Sequence, residues 1–346
     1  MEFRMTKFDL RKIKTITAHD LLAENFRERS MVIDPWLRTE ETAVLWAASG
    51  VGKTMLALSL ALAVAGGGKL ADWSCPMARK VVYIDGEMHA QDIKDRIVAL
   101  IESGAVSLPD KDLALRNLKL IVRQRQDVGS TFYDLSTPES KAELLRLAGQ
   151  DEIGLVILDN FTTLSDSLED ENDATQFKLV QDFFLQMKRC GVATILVHHS
   201  NKGGKQMRGS TALETTFEVI LGLTPPKLAR TGRASFVTHF TKFRGKGDVR
   251  LDPRQWILCD TGWEVTIAEP EDSSEDQIVI ALRTLDFVNQ AEIATALGLN
   301  KSTVSRRLEK AIAKSWLTAK EIEDYFSSAK GLRDSAALEE GKCEAF

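Results

Sequence analysis

The sequence predicts an α/β fold in which helices flank a mostly parallel β-sheet. Short apolar runs of strand length alternate with amphipathic stretches of helix length across residues 42–199, a pattern typical of repeated strand–helix units. A glycine-containing loop at residues 47–54 follows the first run and precedes a long apolar stretch. Beyond residue 219 the strand-like runs follow one another without intervening helices. This change predicts an antiparallel extension at one edge of the sheet.

Two sets of apolar runs correspond to these two parts of the sheet. The runs predicted to form parallel strands span residues 42–49, 80–87, 118–124, 153–159 and 192–199. The runs predicted to form the antiparallel extension span residues 219–223, 236–243, 255–260 and 263–267. Because the first set is nearly continuous in apolar residues, we expect its strands to be covered on both faces.

The chain is predicted to contain five segments. An N-terminal arm ends at Asp34-Pro35, where proline disfavours helix, and an acidic, serine-containing stretch near residue 270 forms a linker. The predicted segments are residues 1–34 for the arm, 35–268 for the α/β domain, 269–277 for the linker, 278–326 for a small C-terminal domain and 327–346 for a flexible tail.

The composition limits the classes of function. The 346 residues carry a net charge of -5 and a pI near 5.7, so any contact with nucleic acid is expected to be local. The four cysteines form neither a CxxC pair nor a zinc-ligand spacing with the histidines, which indicates reduced thiols. The start of the chain lacks a secretory signal, and the longest apolar stretch, residues 55–67, is too short to span a bilayer. We expect a cytoplasmic protein with no membrane partner.

Residues 47–54 match a phosphate-binding loop. Such a loop needs exposed backbone N–H groups at a helix N-terminus, glycines that let the chain curl round an anion, a lysine for the phosphates and a hydroxyl for Mg2+. We predict that ATP and Mg2+ bind here, through Ser49, Gly50, Val51, Gly52, Lys53 and Thr54. The usual pattern starts with glycine, whereas this chain has Ala47. A surface turn without a ligand is the alternative interpretation.

Two strand ends supply candidate acids. The apolar run 153–159 ends in Asp159, a candidate to hold Mg2+ together with Thr54. The next residue is Asn160 rather than the glutamate that would activate water in many ATPases, so the general base must lie elsewhere. Glu87 ends another strand-like run, 34 residues after Lys53, and is our candidate base. Asp85 competes for that role, and a solvated acid without a catalytic role is the third possibility.

The strand-like run 192–199 ends in paired histidines and leads into a basic loop. His199 is a candidate sensor of the γ-phosphate; a metal ligand or an ordinary strand-end residue are the alternatives. The following loop contains three cations and no acid before Glu214. Phosphate contacts from such a loop carry little sequence information, so it is a candidate single-stranded DNA grip or, alternatively, a solvated loop. Its cations are Lys202, Lys205 and Arg208.

Lys242 and Arg244 lie at alternate positions of a strand-like run, which places both on one face. Two cations on one face can reach the nucleotide of a neighbouring subunit, as arginine fingers do. If they act in this way, activity requires oligomerisation.

Together these motifs resemble the RecA/DnaB superfamily, and within it the RepA-like AAA_25 group of plasmid and phage replicative helicases. The resemblance covers roughly residues 35–260. It implies a RecA-like fold, a base at Glu87, a Walker B acid at Asp159, a sensor at His199 and a trans-acting pair at Lys242 and Arg244. The motifs are specific for the superfamily and less so for helicase activity.

The C-terminal segment looks like a winged helix-turn-helix. Residues 289–311 form two short helical patterns separated by Gly298 and Asn300, and the second has the composition of a recognition helix. Across residues 289–320 six basic residues stand against two acidic ones. The predicted DNA contacts of this segment are Lys301, Arg306 and Arg307. Winged helices also bind proteins, so docking to a partner is the alternative.

The motifs favour a homohexameric ATP-dependent DNA helicase or translocase in plasmid or mobile-element replication. A primase or a replication initiator is the expected protein partner. Two alternatives stay open: a filament-forming recombination or repair ATPase, and a DNA-binding regulator that uses ATP as an assembly switch. The acidic stretch at residues 168–173 departs from what a DNA-contacting loop is expected to contain.

Overall fold

The computed structural model describes residues 15–26, 28–150, 152–166, 174–201, 207, 211–226, 234–268, 274–313 and 317–343. The chain divides into two compact units, Met1–Ile267 and Ala268–Phe346. Within the described residues, no helix is both long enough and apolar enough to cross a membrane.

The strands of the first unit form one large sheet and two small hairpins. In chain order they are β1 (Met31–Ile33), β2 (Leu37–Arg38), β3 (Thr42–Ala47), β4 (Lys69–Leu70), β5 (Trp73–Ser74), β6 (Lys80–Asp85), β7 (Leu118–Val122), β8 (Ile153–Asp159), β9 (Ala193–His199), β10 (Val219–Thr224), β11 (Ala234–Phe243), β12 (Arg254–Cys259) and β13 (Gly262–Ile267). The large sheet has the order β13-β12-β11-β10-β3-β9-β8-β6-β7. From β10 to β7 all neighbours are parallel, and from β10 to β13 all are antiparallel. The predicted α/β class and its antiparallel edge extension are therefore confirmed.

Helices cover both faces of this sheet. Those of the first unit are α1 (Ala18–Ala23), α2 (Lys53–Gly66), α3 (Ala90–Glu102), α4 (Lys111–Asn117), α5 (Pro138–Gln150), α6 (Ala174–Arg189) and α7 (Thr211–Thr216). Every residue of α2 except Thr54 is buried, as expected for a helix that is apolar on all sides. It packs in a core with the antiparallel extension, where Trp263 donates its indole N–H to Ser59 Oγ at 3.0 Å. A second core on the opposite face includes α5 and α6.

The predicted N-terminal arm is shorter than expected, because β1 pairs with β2 and belongs to the folded unit. Val32 and Ile33 are fully buried, and Asp34 pairs with Ser74. Residues 1–14 of the arm lie outside the described residues.

The second unit is helical in its described residues. Its helices are α8 (Ser274–Arg283), α9 (Gln290–Ala296), α10 (Lys301–Ala313) and α11 (Ala319–Cys343). The turn between α9 and α10 places two helices in the expected helix-turn-helix order. No strand occurs among the residues described here, so the expected wing is not seen in them.

Helix α11 differs from the prediction of a flexible tail from residue 327. The small and charged residues of this segment are mostly strong helix formers, which a search for apolar runs undervalues. Ile322 and Ala329 are both buried and lie seven residues apart, so they share one helix face. The linker prediction also shifts, because α8 already begins at Ser274 and residues 269–273 are outside the described set.

Candidate active site

Four parallel strands end at one edge of the sheet, and three of them end in a polar residue. Ala47, Asp85, Asp159 and His199 are the last residues of β3, β6, β8 and β9 respectively. Strand β9 lies between β3 and β8, so the loop after β3 and the acid that ends β8 flank it. In open α/β sheets this carboxyl-end edge is where ligands bind.

The loop after β3 has the backbone of a phosphate cradle. Gly50 and Gly52 have φ values of 78° and 122°, a region that L side chains rarely adopt. A Cβ on Gly52 would also lie 2.9 Å from Ala234 Cβ. Both the backbone angle and the lack of space therefore require glycine at this position. Ala47, which stands where the usual pattern has glycine, is fully buried at the end of β3. Its methyl group belongs to the core and leaves the open side of the loop unchanged.

The Lys53 ammonium lies inside the cradle. Its Nζ donates to the carbonyl oxygens of Ala47 and Ala48, both at 3.0 Å, and lies 3.4 Å from His199 Nδ1. Burial lowers the pKa of Lys53, and the charges of Asp159 and Glu87 oppose that shift. The lysine and the candidate sensor predicted from sequence are therefore brought together.

Thr54 and Asp159 form an oxygen-donor pair next to the loop. Thr54 Oγ1 donates to Asp159 Oδ2 at 2.9 Å, and the Tyr83 hydroxyl donates to the same oxygen at 2.5 Å. Burial raises the pKa of Asp159 to about 6, while the bond from Tyr83 opposes the shift. Hydroxyl and carboxylate oxygens are the ligands that Mg2+ prefers, so this pair fits the ion that ATP brings. Sequence reasoning missed Tyr83; its signal was a hydroxyl inside an otherwise apolar strand.

The two candidate bases have different surroundings. Asp85 is buried, and its Oδ1 accepts hydrogen bonds from the backbone N–H groups of Glu87 at 3.0 Å and Met88 at 2.6 Å. Its carboxylate thus builds the turn after β6, and burial raises its pKa. Glu87 is exposed, and its Oε2 accepts a hydrogen bond from Asn160 Nδ2 at 2.6 Å. The geometry favours Glu87 over Asp85 as the group that can meet a water molecule.

The paired histidines differ in burial. His198 is fully buried, with its ring edge-on to Phe161 at 5.1 Å, whereas His199 is half-buried beside Lys53. Among the described residues no group of three or more histidines, cysteines or acids is placed to hold a metal ion. The predicted DNA-grip residues Lys202, Lys205 and Arg208 lie outside the described residues.

Lys242 and Arg244 lie near the opposite, amino-end edge of the sheet. Lys242 is level with Ile220, which is level with Val44 near the start of β3. Arg244 follows Phe243, and Phe243 is level with Ala43 of β3 across the sheet. Roughly 15 Å along the strand direction therefore separates Arg244 from the loop after Ala47. The structure therefore does not bring this pair to the nucleotide loop of its own chain.

The surroundings of the pair are local. Lys242 Nζ donates to the Glu214 carbonyl oxygen, and Arg244 Nη2 donates to the Thr215 carbonyl oxygen at 3.4 Å. Arg244 Nη1 also lies 3.9 Å from the Glu218 carboxylate, which pairs with Lys188 at 2.7 Å. Arg244 keeps more than half of its side chain exposed, at 57%, so it can contact another molecule.

In the second unit, the predicted DNA-contact residues lie on α10. Lys301 and Arg306 are exposed and Arg307 is half-buried. Val304 and Leu308 form the buried face of the same helix. Arg306 therefore lies on the exposed face of α10, opposite Val304 and Leu308, whereas Lys301 is exposed at the first residue of the helix.

The strand order and the site define a P-loop ATPase with a RecA-like fold. The chain belongs to the AAA_25 family, whose model, described as an AAA domain, matches residues 8–205. The protein is therefore an enzyme that hydrolyses ATP, and P-loop ATPases of this kind use nucleotide and Mg2+.

Comparison with other proteins adds two structural relatives. No curated protein sequence matches the chain. A KaiC-like protein from the archaeon Pyrococcus horikoshii is 15% identical, with a TM-score of 0.48 over 68% of this chain and 93% of its own. The RadB recombinase is 17% identical, with a TM-score of 0.47 over 68% of this chain and 93% of its own.

Proposed function

We propose that this ATPase is a homohexameric DNA helicase or translocase of RepA type that acts in plasmid or mobile-element replication. The observation that carries the proposal is that the nucleotide residues and the two cations Lys242 and Arg244 lie at opposite ends of the strands of one sheet. The nucleotide residues meet at the carboxyl-end edge, and Lys242 with Arg244 lies near the other edge. A site that obtains these cations only from a neighbour makes hydrolysis depend on assembly, as a ring motor requires.

The proposed catalytic steps use the side chains around the loop after β3. Lys53 binds the β- and γ-phosphates, and Thr54 with Asp159 would hold Mg2+, which would supply charge neutralisation at the phosphates. Glu87 accepts a proton from the water that attacks the γ-phosphorus, while the bond to the bridging oxygen breaks and ADP leaves. His199, 3.4 Å from Lys53 Nζ, registers the loss of the γ-phosphate and transmits it to the loop that follows.

The N-terminal segment, residues 15–26, supports assembly. None of the α1 residues is buried, and four large apolar side chains of the segment are exposed: Ile16, Leu21, Leu22 and Phe26. A groove of about 500 Å3 between α3 and β7 exposes a matching apolar surface. Its apolar lining includes Ile93, Ile97, Val98, Leu115 and Leu120. We infer that this groove receives the segment of a second copy.

Charge supports the same pairing, because Lys94 and Arg125 line the groove whereas the segment carries Asp20 and Glu24. Leu22→Asp puts a charge into this contact, so we expect the assembled mass at a fixed concentration to fall toward that of one chain. Light scattering after gel filtration measures it, with Val128→Asp at another exposed apolar position as the matched control. Equal masses for the two variants would remove the groove from the proposal.

The DNA contacts are assigned to two places. The loop with Lys202, Lys205 and Arg208 grips single-stranded DNA through its phosphates, and hydrolysis moves this loop along the strand. Exposed Lys301 and Arg306, with Arg307, recruit the enzyme to duplex DNA or to a protein partner such as a primase or initiator.

ATP turnover over a protein concentration series, with and without single-stranded and duplex DNA, tests this proposal. We expect turnover per subunit to rise with assembly and with single-stranded DNA, and a mass measured in parallel to match six chains. Turnover that ignores DNA at every concentration contradicts the motor.

The alternative with structural support is an ATP-switched DNA-binding regulator. The helix-turn-helix order of α9 and α10, with its exposed cations, supports it. Sequence-specific duplex binding that requires ATP but shows negligible turnover would favour the regulator. A recombination or repair ATPase is favoured instead if the assembled species is an open filament.

A further inference from the structure

A buried amide contacts the candidate base. Asn160 directly follows Asp159 and is only 3% exposed. Its Nδ2 donates to Glu87 Oε2 at 2.6 Å. A hydrogen bond from a fixed donor to one oxygen of a carboxylate orients the group and leaves the other oxygen free to accept a proton.

The Asn160 side chain is itself held in one orientation. Its Oδ1 accepts the backbone N–H of Thr163 at 3.1 Å, and its main-chain oxygen accepts the N–H of Leu164 at 3.2 Å. Because a backbone N–H can only donate, Oδ1 faces Thr163 and the amide nitrogen faces Glu87. The donor is therefore preorganised by the turn that follows β8.

The turns that carry the two residues are packed directly against each other. The N–H of Gly86 donates to the carbonyl oxygen of Asp159 at 2.8 Å. A Cβ on Gly86 would lie 2.3 Å from Thr163 Oγ1, so only glycine permits this approach. Glu87 is thus fixed on both sides, at its backbone by Asp85 and at its carboxylate by Asn160.

We propose that Asn160 is a positioning residue that holds the Glu87 carboxylate in its working orientation. The proposal rests on the proposed role of Glu87 as the general base. The residue directly after Asp159 is not the glutamate base found there in many ATPases. Instead, Glu87 supplies the carboxylate from the turn after β6, and Asn160 orients it from the turn after β8.

Two substitutions at Asn160 test the donor. Asn160→Ala removes it, and Asn160→Asp removes it while keeping the shape of the side chain. We expect both to lower kcat for ATP roughly tenfold to hundredfold, the cost of a misplaced reacting group, with KM for ATP changed less than about twofold.

Asn117→Asp is the matched control. Asn117 is half-buried, and its Nδ2 donates to the Ala65 carbonyl oxygen at 2.9 Å, away from the site. We expect this variant to keep the wild-type kcat. A comparable fall in kcat for Asn117→Asp would mean that loss of any such amide donor is enough, and would overturn the proposal.

A double-mutant cycle with Glu87→Gln separates positioning from a general structural effect. Radiolabelled phosphate release measures the residual rates. If Asn160 acts through Glu87, Asn160→Ala lowers kcat less than about twofold when it is added to the Glu87→Gln variant. The same fold loss in both backgrounds overturns the proposal.

The cycle also distinguishes the two levels of failure. If Glu87→Gln keeps wild-type turnover, the base assignment itself is wrong. If Glu87→Gln abolishes most turnover while Asn160→Ala and Asn160→Asp retain the wild-type kcat, the base stands and the positioning role alone is rejected.

Discussion

The two ends of the central sheet differ in what they can do alone. At the carboxyl-end edge, Thr54 donates a hydrogen bond to Asp159 at 2.9 Å, and the Lys53 ammonium lies 3.4 Å from His199. Near the amino-end edge, Lys242 and Arg244 contact only main-chain oxygens of α7 and the Glu218 carboxylate among the contacts described. One end of the sheet carries the nucleotide loop and its neighbouring polar side chains. The other end carries two cationic side chains that lie away from that loop.

This difference supports the proposal that a complete catalytic site takes residues from two chains. A strand cannot fold back to bring Arg244 to the loop after β3 without breaking its pairing with β10. Within one chain, Lys242 and Arg244 therefore stay away from the nucleotide loop. Under the proposed function, the pair acts on the nucleotide of a second copy of the chain.

Arg244→Ala tests the cation pair near the amino-end edge of the sheet and has the largest expected effect. We expect ATP hydrolysis by the assembled protein to fall on the order of 10³-fold, as for arginine fingers in other systems, with ATP affinity of the isolated subunit unchanged. Turnover and nucleotide binding are measured on the same preparation. Lys246→Ala, two residues along and also exposed, is the control, and an assembled Arg244→Ala variant that turns over at the control rate contradicts the trans role.

Glu87→Gln tests the near end. It keeps the shape but removes the proton acceptor, so we expect kcat to fall roughly 10²- to 10⁴-fold while ATP binding is retained. Steady-state turnover with equilibrium nucleotide binding measures both. Glu264→Gln, at an exposed position on β13, should leave both unchanged; retained hydrolysis in Glu87→Gln removes the base assignment.

Asp159→Asn tests the nucleotide site through the free energy of unfolding and has the smallest expected effect. Burial raises the pKa of Asp159 from 3.8 to about 6, so the folded state binds the proton more tightly than the unfolded state. The resulting stability is full below pH 4 and is lost as the pH rises through 6. Without Mg2+, the variant should therefore become more stable than the wild type by up to about 3 kcal/mol above pH 7.

Urea unfolding at pH 4.5 and pH 7.5 measures this difference. Asp252→Asn, which removes an exposed acid away from the site, is the matched control. A stability difference from the wild type that is the same at both pH values would contradict the raised pKa of Asp159.

Local sequence motifs predicted much of the candidate nucleotide site. The order of strand, glycine loop and helix placed Lys53 and Thr54, and the acid at the end of an apolar run placed Asp159. Both follow from chemistry that is written in neighbouring residues. The contacts of Tyr83 and Asn160 could not be predicted in this way, because they depend on β6 lying next to β8, and single-sequence periodicity carries no strand order.

Two further differences have physical causes of the same kind. The position of Lys242 and Arg244 near the amino-end edge follows from the register of β11 on β10, which is a long-range pairing. Helix α11 was missed because alanine, glutamate and lysine favour helix through their backbone and rotamer properties, whereas the prediction weighed apolar spacing.

Mixing two inactive variants tests whether Arg244 of one chain completes the nucleotide site of its neighbour. Lys53→Ala lacks the phosphate ligand and Arg244→Ala lacks the far-end cation, so neither should hydrolyse ATP alone. In a mixed assembly, an Arg244→Ala chain beside a Lys53→Ala chain forms a complete site, and random mixing makes about a quarter of the interfaces complete. We expect turnover to return when equal amounts are mixed. Mixed assemblies that form, by mass, and remain inactive would contradict it.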